Sequence, residues 1–332
     1  MELLPKRASI DITYECNLNC SMCDKWRFFA ASGMKSTITP DIWIRTIKEA
    51  KSLGISELCI TGGEPLLYKG IFEVVECALE NIPLVGLLSN GELLSETFLN
   101  KFRTAPLIFY LSLDGDRETH NKIRSKHSSS FDRIADYCSR LASSRCSIVV
   151  NSVIRNSNID SLLEMVKQIK SWAKGITFQH HVFQFSSWKD LNDRQENEYF
   201  GSNFSTIKHL PLAPVVSERT IAKIKELITV VKLKYPGYVR FVPDIPENKI
   251  DDYYLNSNVY APISKCRNIW ESIRFTSNGD VTVCGWYFQK VGNLQEQPIK
   301  SIWNSQYLND IRKKFTDNGL LAGCRRCCGV WS

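Results

Sequence analysis

Apolar and polar residues alternate over 8–14 (Ala-Ser-Ile-Asp-Ile-Thr-Tyr), the two-residue period of a short strand. Apolar positions then recur at helical spacing over 41–53, where Thr39-Pro40-Asp41 reads as a helix start. Five more apolar runs follow at 55–61, 84–90, 107–115, 146–154 and 175–183. Between them, helical spacing is read over 71–80, 92–102, 130–143 and 159–172. Six strand–helix alternations predict parallel βαβ units, and near-continuous apolar strands predict a sheet buried on both faces. Six units are too few for a closed eight-unit barrel. The predicted class is therefore α/β, with a partial (β/α)6 TIM-type barrel over 1–184.

The pattern breaks near residue 184. Residues 185–218 read as polar, aromatic and irregular, with Trp188, Tyr199 and Phe204; one clear helix follows at 218–234. Residues 235–262 are rich in proline and tyrosine. The stretch 185–262 is expected to be a connector that covers the mouth of the sheet and shapes a substrate pocket. A small α+β domain is expected over 263–332. Its elements are a hairpin at 273–286, with Asn278-Gly279 as the turn, and a helix at 301–315.

Composition narrows the class only slightly. Apolar content of 43% and charged content of 23% suit a soluble globular chain of 332 residues. No apolar run reaches the length of a membrane span, and no basic segment followed by an apolar block opens the chain. A cytoplasmic location and no membrane partner are expected. The net charge of +7 is scattered among acidic residues, so nucleic acid is not the expected partner.

The twelve cysteines change the picture more. They cluster at 16/20/23 and at 324/327/328, with Cys266 and Cys284 upstream of the second set. Without a secretory signal, such clusters point to metal or redox chemistry rather than disulfides. Cys-x3-Cys-x2-Cys supplies three thiolates. One reading is a zinc site that borrows a fourth ligand. The other is a [4Fe–4S] cluster held through three irons by Cys16, Cys20 and Cys23, with the fourth iron left for a small chelating molecule. Placement just after the first strand favours the second reading, because α/β sheets bind ligands at that edge. Thr-Gly-Gly-Glu-Pro follows the second strand at the same edge. Gly62 and Gly63 let backbone approach a ligand, Glu64 accepts hydrogen bonds from an ammonium group, and Pro65 stiffens the turn.

The cysteine loop, the Gly-Gly-Glu-Pro turn and the strand Leu-Ser-Leu-Asp-Gly together resemble the radical S-adenosylmethionine (SAM) superfamily over residues 8–184. The resemblance implies that the open iron chelates the methionine end of SAM, with Gly62, Gly63 and Glu64 meeting its amine. It implies reductive cleavage of SAM to a 5′-deoxyadenosyl radical that takes hydrogen from a substrate. It also implies an external low-potential electron donor such as flavodoxin or ferredoxin. Ser112 and Asn151 stand at strand ends where they reach ribose or carboxylate, and Arg124 where it pairs with the carboxylate. Each of the three also reads as an ordinary satisfied polar residue, and Asp114 reads equally as a turn cap. The residue before the third cysteine, often aromatic in the family, is Met22 here.

Spacing alone leaves the second set divided between a zinc knuckle and a fully ligated cluster. The segment from Cys266 to Cys328 is similar to twitch and SPASM auxiliary-cluster domains, and its shortness resembles the single-cluster form. That resemblance implies one auxiliary [4Fe–4S] cluster on Cys266, Cys284, Cys324 and Cys327, with Cys328 able to replace Cys327. Cys328 reads either as a hydrogen donor to a substrate radical or as a bystander thiol. Cys59, Cys77, Cys138 and Cys146 are assigned to the core. His180 and His181 face opposite sides of their strand and read as packed or substrate-contacting rather than metal-binding.

The expected function is oxidation or epimerisation of a carbohydrate or aminocyclitol-type small molecule. The alternative is modification of a ribosomal precursor peptide, although a first strand near residue 8 leaves no room for a leader-binding domain before the barrel. A non-enzymatic zinc protein is the reading from a different class.

Overall fold

The structure, a computed structural model, describes residues 4–327 apart from 21–22, 24–32, 34, 125–128, 202–211, 213–214, 260–264 and 288. Met22, Phe204 and Cys328 lie outside the described residues.

The six expected strands are present: β1 (Arg7–Asp11), β2 (Glu57–Thr61), β3 (Leu84–Ser89), β4 (Leu107–Ser112), β5 (Ser147–Val153) and β6 (Gly175–Gln179). They pair in parallel and in sequence order. The sheet continues beyond them at both ends. β7 (Val239–Val242) adds in parallel to β6. β8 (Ser272–Phe275) adds in parallel to β1, followed by antiparallel β9 (Asp280–Thr282) and β10 (Gly292–Asn293). The order β10-β9-β8-β1-β2-β3-β4-β5-β6-β7 has two free ends, so the sheet is open, as a partial barrel requires.

One face of the sheet is sealed. Ala8, Ile10, Leu58, Ile60, Val85, Leu87, Phe109, Leu111, Ile148 and Val150 are buried in one core with Trp43, Val74, Phe98, Ile134 and Met165 from the covering helices. Each such side chain contributes on the order of 1.5–3 kcal/mol by leaving water. The other face corrects the expectation of burial on both sides. Residues of the opposite parity, Cys59, Leu88, Tyr110, Ser112, Val149, Asn151 and Gln179, are only partly buried. Half of that inner row is polar, and this separates an open chamber wall from a core.

Helices differ from expectation in several places, among them an unanticipated helix at Arg117–Ile123. Residues 189–200, read as irregular, form a helix (Lys189–Phe200) whose buried stripe is Asn192, Glu196 and Tyr199. A polar stripe leaves no apolar period to read. A further helix in the connector, Ile250–Leu255, is six residues long. The single helix expected at 301–315 is two, Ile299–Trp303 and Gln306–Asn318, because Ser305 caps the second through a bond from Leu308 N. The hairpin at Asn278-Gly279 is as expected, with Gly279 at φ 87°.

Candidate cofactor and metal sites

Past β1 the chain runs beside the end of β2. Ile12 N donates to Thr61 O at 2.9 Å, Gly63 N to Thr13 O at 2.7 Å and Glu64 N to Glu15 O at 2.7 Å. This pairing accounts for both glycines. A Cβ on Gly62 would lie 2.4 Å from Thr13 O, and one on Gly63 2.0 Å from Glu15 O. The pair therefore lets the Cys16 loop lie flat against the turn. Cys16 follows directly, and its Sγ accepts from Leu18 N at 3.4 Å.

Cys16, Cys20 and Cys23 line one cavity of about 180 Å³. Of the other expected residues, Gly63, Ser112 and Arg124 line it too. Gly62, Glu64, Pro65 and Asn151 are not among its lining residues. Asn151 sits in the same register row as Ser112 and Thr177, one strand further on. Leu18, Thr61, Leu88, Ser89, Asn90 and Val153 complete the wall, none of them anticipated from sequence. A shallower groove on the helix Pro40–Ser52, lined by Asp41, Arg45, Lys48 and Glu49, contains no cysteine.

Glu64, expected to meet the ammonium group, does not line the cavity. Its carboxylate is fully buried and turned inward, accepting from Ser89 Oγ at 2.8 Å, Asn90 N at 2.8 Å and Leu66 N at 3.0 Å. Burial pushes its pKa up, and those bonds oppose the shift. The carboxyl group fastens the turn to the end of β3. Asn90 in turn donates to Asn17 Oδ1 at 2.8 Å, inside the cysteine loop. Pro65 is buried at the start of a one-turn 3-10 helix and stiffens the turn as expected.

Arg124 reaches the cavity from the end of the helix Arg117–Ile123, whose first turn is capped by Asp116 Oδ1 accepting from Thr119 N. Its Nε donates to Asp114 Oδ2 at 2.5 Å, and Asp114 Oδ1 accepts from Ser152 Oγ and Val153 N. Asp114 is thus neither a turn cap nor a ligand contact; it aims Arg124. Burial raises the Cys20 pKa, and the Arg124 charge opposes that rise. His120, buried beside Asp114, has its pKa pushed down to about 4 by burial and by Arg124.

In the second set Cys284 lies on the hairpin, Cys324 in the 3-10 turn Ala322–Arg326 with Cys327 as its C-cap, and Cys266 just before the helix Asn268–Glu271. Cys284 Sγ accepts from Trp286 N and Tyr287 N, each at 3.4 Å. Burial pushes the Cys284 pKa up to about 11, with Cys266 adding to the rise. The Cys324 pKa also stands far above its usual value, through burial and then Cys284 and Cys266. Tyr287 lies within the charge field of Cys324, Cys284 and Cys327 and donates to Asn192 Oδ1 at 2.6 Å. Asn192 also accepts from Gly323 N at 2.9 Å, so the helix Lys189–Phe200 carries part of this site's frame.

The remaining cysteines divide. Cys77, Cys138 and Cys146 are buried as expected, but Cys59 is partly exposed on the inner row of the sheet. His180 Nδ1 lies 2.9 Å from Tyr254 Oη, and His181 Nε2 lies 3.2 Å from an Arg155 nitrogen. Both are buried, which agrees with packed residues.

Among the described residues, no three thiols, carboxylates or imidazoles lie close enough to hold a single metal ion. Thiolates around one zinc sit only about 3.8 Å apart, the edge of a tetrahedron with 2.3 Å bonds. A four-iron cluster spreads its thiolates wider and is held by thiolates alone. Both sets offer thiolates alone, the donor type that holds iron–sulfur clusters.

An open, mostly parallel α/β sheet with a thiol-lined cavity at the strand ends defines a cluster-binding enzyme of the partial-barrel class. Residues 10–169 match the model of the radical SAM superfamily, and residues 266–328 match the SPASM model, an iron–sulfur cluster-binding domain. The chain thus carries a radical SAM domain over 10–169 and a SPASM-type iron–sulfur domain over 266–328. The first domain binds SAM and a [4Fe–4S] cluster, and the second binds auxiliary iron–sulfur clusters.

A relative named AdoMet-dependent heme synthase, from Methanosarcina barkeri, is 25% identical over 333 residues, covering 98% of this chain and 88% of its own. The sporulation killing factor maturation protein SkfB of Bacillus subtilis is 27% identical over 175 residues, covering 50% of this chain; the match spans 40% of SkfB. The crystal structure of Streptococcus suis SuiB superposes with a TM-score of 0.66 at 15% identity, covering 92% of this chain and 67% of SuiB.

Proposed function

We propose that this chain is a radical SAM oxidoreductase that completes substrate oxidation through one auxiliary cluster. The carrying observation is the joint lining of a single cavity by Cys16, Cys20, Cys23, Gly63, Ser112 and Arg124. In this reading Cys16, Cys20 and Cys23 hold the SAM-binding cluster. That cluster, when bound and reduced by an external flavodoxin- or ferredoxin-type donor, supplies the electron that cleaves SAM. Arg124, aimed by Asp114, receives the SAM carboxylate, and Ser112 meets the ribose. Gly63 offers backbone to the amine, while Gly62, Glu64 and Pro65 hold the turn. Asn151 extends the polar row away from the cavity. Cys266, Cys284, Cys324 and Cys327 hold the auxiliary cluster, and Cys328 keeps the alternative roles of replacement ligand or hydrogen donor. Residues 1–184, 185–262 and 263–332 act as barrel, pocket cover and auxiliary domain.

For the substrate we favour a hydroxyl-rich small molecule of the carbohydrate or aminocyclitol type. Ser112, Asn151, Thr177 and Gln179 offer hydrogen bonds along the inner row. Likeness to a heme synthase along nearly the whole chain also favours a small-molecule substrate over a peptide. A precursor peptide is the second reading, supported by the likeness to SkfB and to SuiB, which has been solved with the precursor peptide SuiA. Anaerobic incubation with SAM, dithionite and either an aminocyclitol panel or precursor peptides tests both. Substrate-dependent 5′-deoxyadenosine supports the reading for that class. Absence of 5′-deoxyadenosine from iron-loaded protein under every condition contradicts the enzyme assignment.

A further inference from the structure

β8 joins the sheet beside β1, with Arg274 in register with Ser9. From there its guanidinium forks onto Asp11, Nε to Oδ2 at 2.7 Å and Nη2 to Oδ1 at 2.5 Å. Asp11 is fully buried and the Arg274 side chain is 14% exposed. Asp11 is the register partner of Thr61, which lines the cavity of the first cysteine set. The third guanidinium nitrogen, Nη1, lies 3.2 Å from where a Cβ on Gly285 would stand, next to Cys284 of the second set. One buried charge pair thus spans the wall between the two sets, with its cationic end toward Cys284.

Stability gives a poor account of this pair. Desolvating two charges costs about as much as their attraction returns, and an apolar pair would fill the same volume at no loss. Its placement matters more. Reduction adds one negative charge to an iron–sulfur cluster, so a fixed cation nearby favours the reduced form. The effect is stronger in a dry, low-dielectric wall than in water.

We propose that Arg274, oriented by Asp11, raises the reduction potential of the auxiliary cluster and makes it an acceptor for the electron left on the substrate. The proposal rests on the reading of Cys284 as a ligand. The single electron that leaves the substrate radical is the one that reduces the cluster, and a proton released to water closes the oxidised product, so no further co-reactant is needed for that transfer. Arg274 is a positioning and tuning residue rather than a catalytic one.

The test is potentiometry followed by electron paramagnetic resonance on the anaerobically reconstituted full chain. Arg274→Gln is expected to shift the auxiliary midpoint to a more negative value. Asp11→Asn, which leaves the cation uncompensated, is expected to shift it to a more positive value. Arg274→Lys keeps the charge and loses the fork, so it is expected to lower the melting temperature with only a small change in midpoint. That split separates tuning from folding. Shifts of the same sign in the Gln and Asn variants, or unchanged midpoints at full iron content, overturn the proposal. Wild-type protein with iron for one cluster only removes the ligand reading of Cys284, and the proposal falls with it; the iron count shows which of the two failed.

Discussion

Three donors converge on the Glu64 carboxylate, and a buried acceptor of this kind has no substitute from water. Glu64→Gln turns an N–H toward at least one of them. The expected cost is about 2 kcal/mol, read as a lower melting temperature by circular dichroism. SAM affinity is expected to weaken because Asn90 and Asn17 lose their anchor, while iron content holds. His120 makes a pH prediction. Its pKa in the folded state, about 4, lies below the ordinary 6.5, so the unfolded chain takes up the proton first as pH falls. The contribution is complete above about pH 6.5 and is lost toward pH 4, on the order of 3 kcal/mol. His120→Gln is expected to flatten that part of the stability profile in urea titrations. A steeper acid limb would contradict the assignment.

At the scale of elements, the auxiliary loop and the helix Ile250–Leu255 are held together by Arg326. Its buried guanidinium donates to the carbonyls of Asp252, Tyr253, Asn256 and Val259 and lies 5.0–5.5 Å from the rings of Phe185, Trp188 and Tyr253. It supplies the positive charge and the donors that a helix C-terminus lacks. Arg326→Met removes this donor from all four carbonyls and leaves Asp252 O and Asn256 O with only their 3.3 Å backbone bonds from Asn256 N and Val259 N. Iron analysis is expected to show loss of about half the metal, the auxiliary share, with the cluster of the Cys16 loop retained. Full iron with an unchanged melting temperature would count against this role.

Elements such as these were only partly readable in advance. Apolar periods located six strands and most helices because packing against a core leaves a periodic trace. The helix Lys189–Phe200 left none, since its buried stripe is Asn192, Glu196 and Tyr199 and serves the cysteine frame. β7 is four residues long and ends just before Pro243, too short to show an alternation. In the site, the thiols and the Gly-Gly-Glu-Pro turn were legible as a set. The inward aim of Glu64 was not, because sequence does not say which side of a turn a carboxylate faces. Asp114 was likewise undetermined, since its partners Arg124 and Ser152 come from different elements.

For the molecule as a whole, ten strands among the described residues form one sheet that sets both cysteine sets on a common frame, with β8 beside β1. Loss of one cluster is therefore expected to leave the other intact, because each set has its own loop. Replacing Cys16, Cys20 and Cys23 together with alanine is expected to halve the iron and abolish 5′-deoxyadenosine formation, with far-ultraviolet circular dichroism unchanged. The most direct test is the resonance spectrum of the dithionite-reduced chain before and after SAM is added, with iron counted in the same sample. Two clusters bring about eight irons per chain. The expected result is about eight irons and a signal that changes on SAM addition in wild type but is missing from the triple variant. A spectrum indifferent to SAM, or zinc in place of iron, would contradict the claim that the three-thiol loop holds the cluster on which SAM is bound.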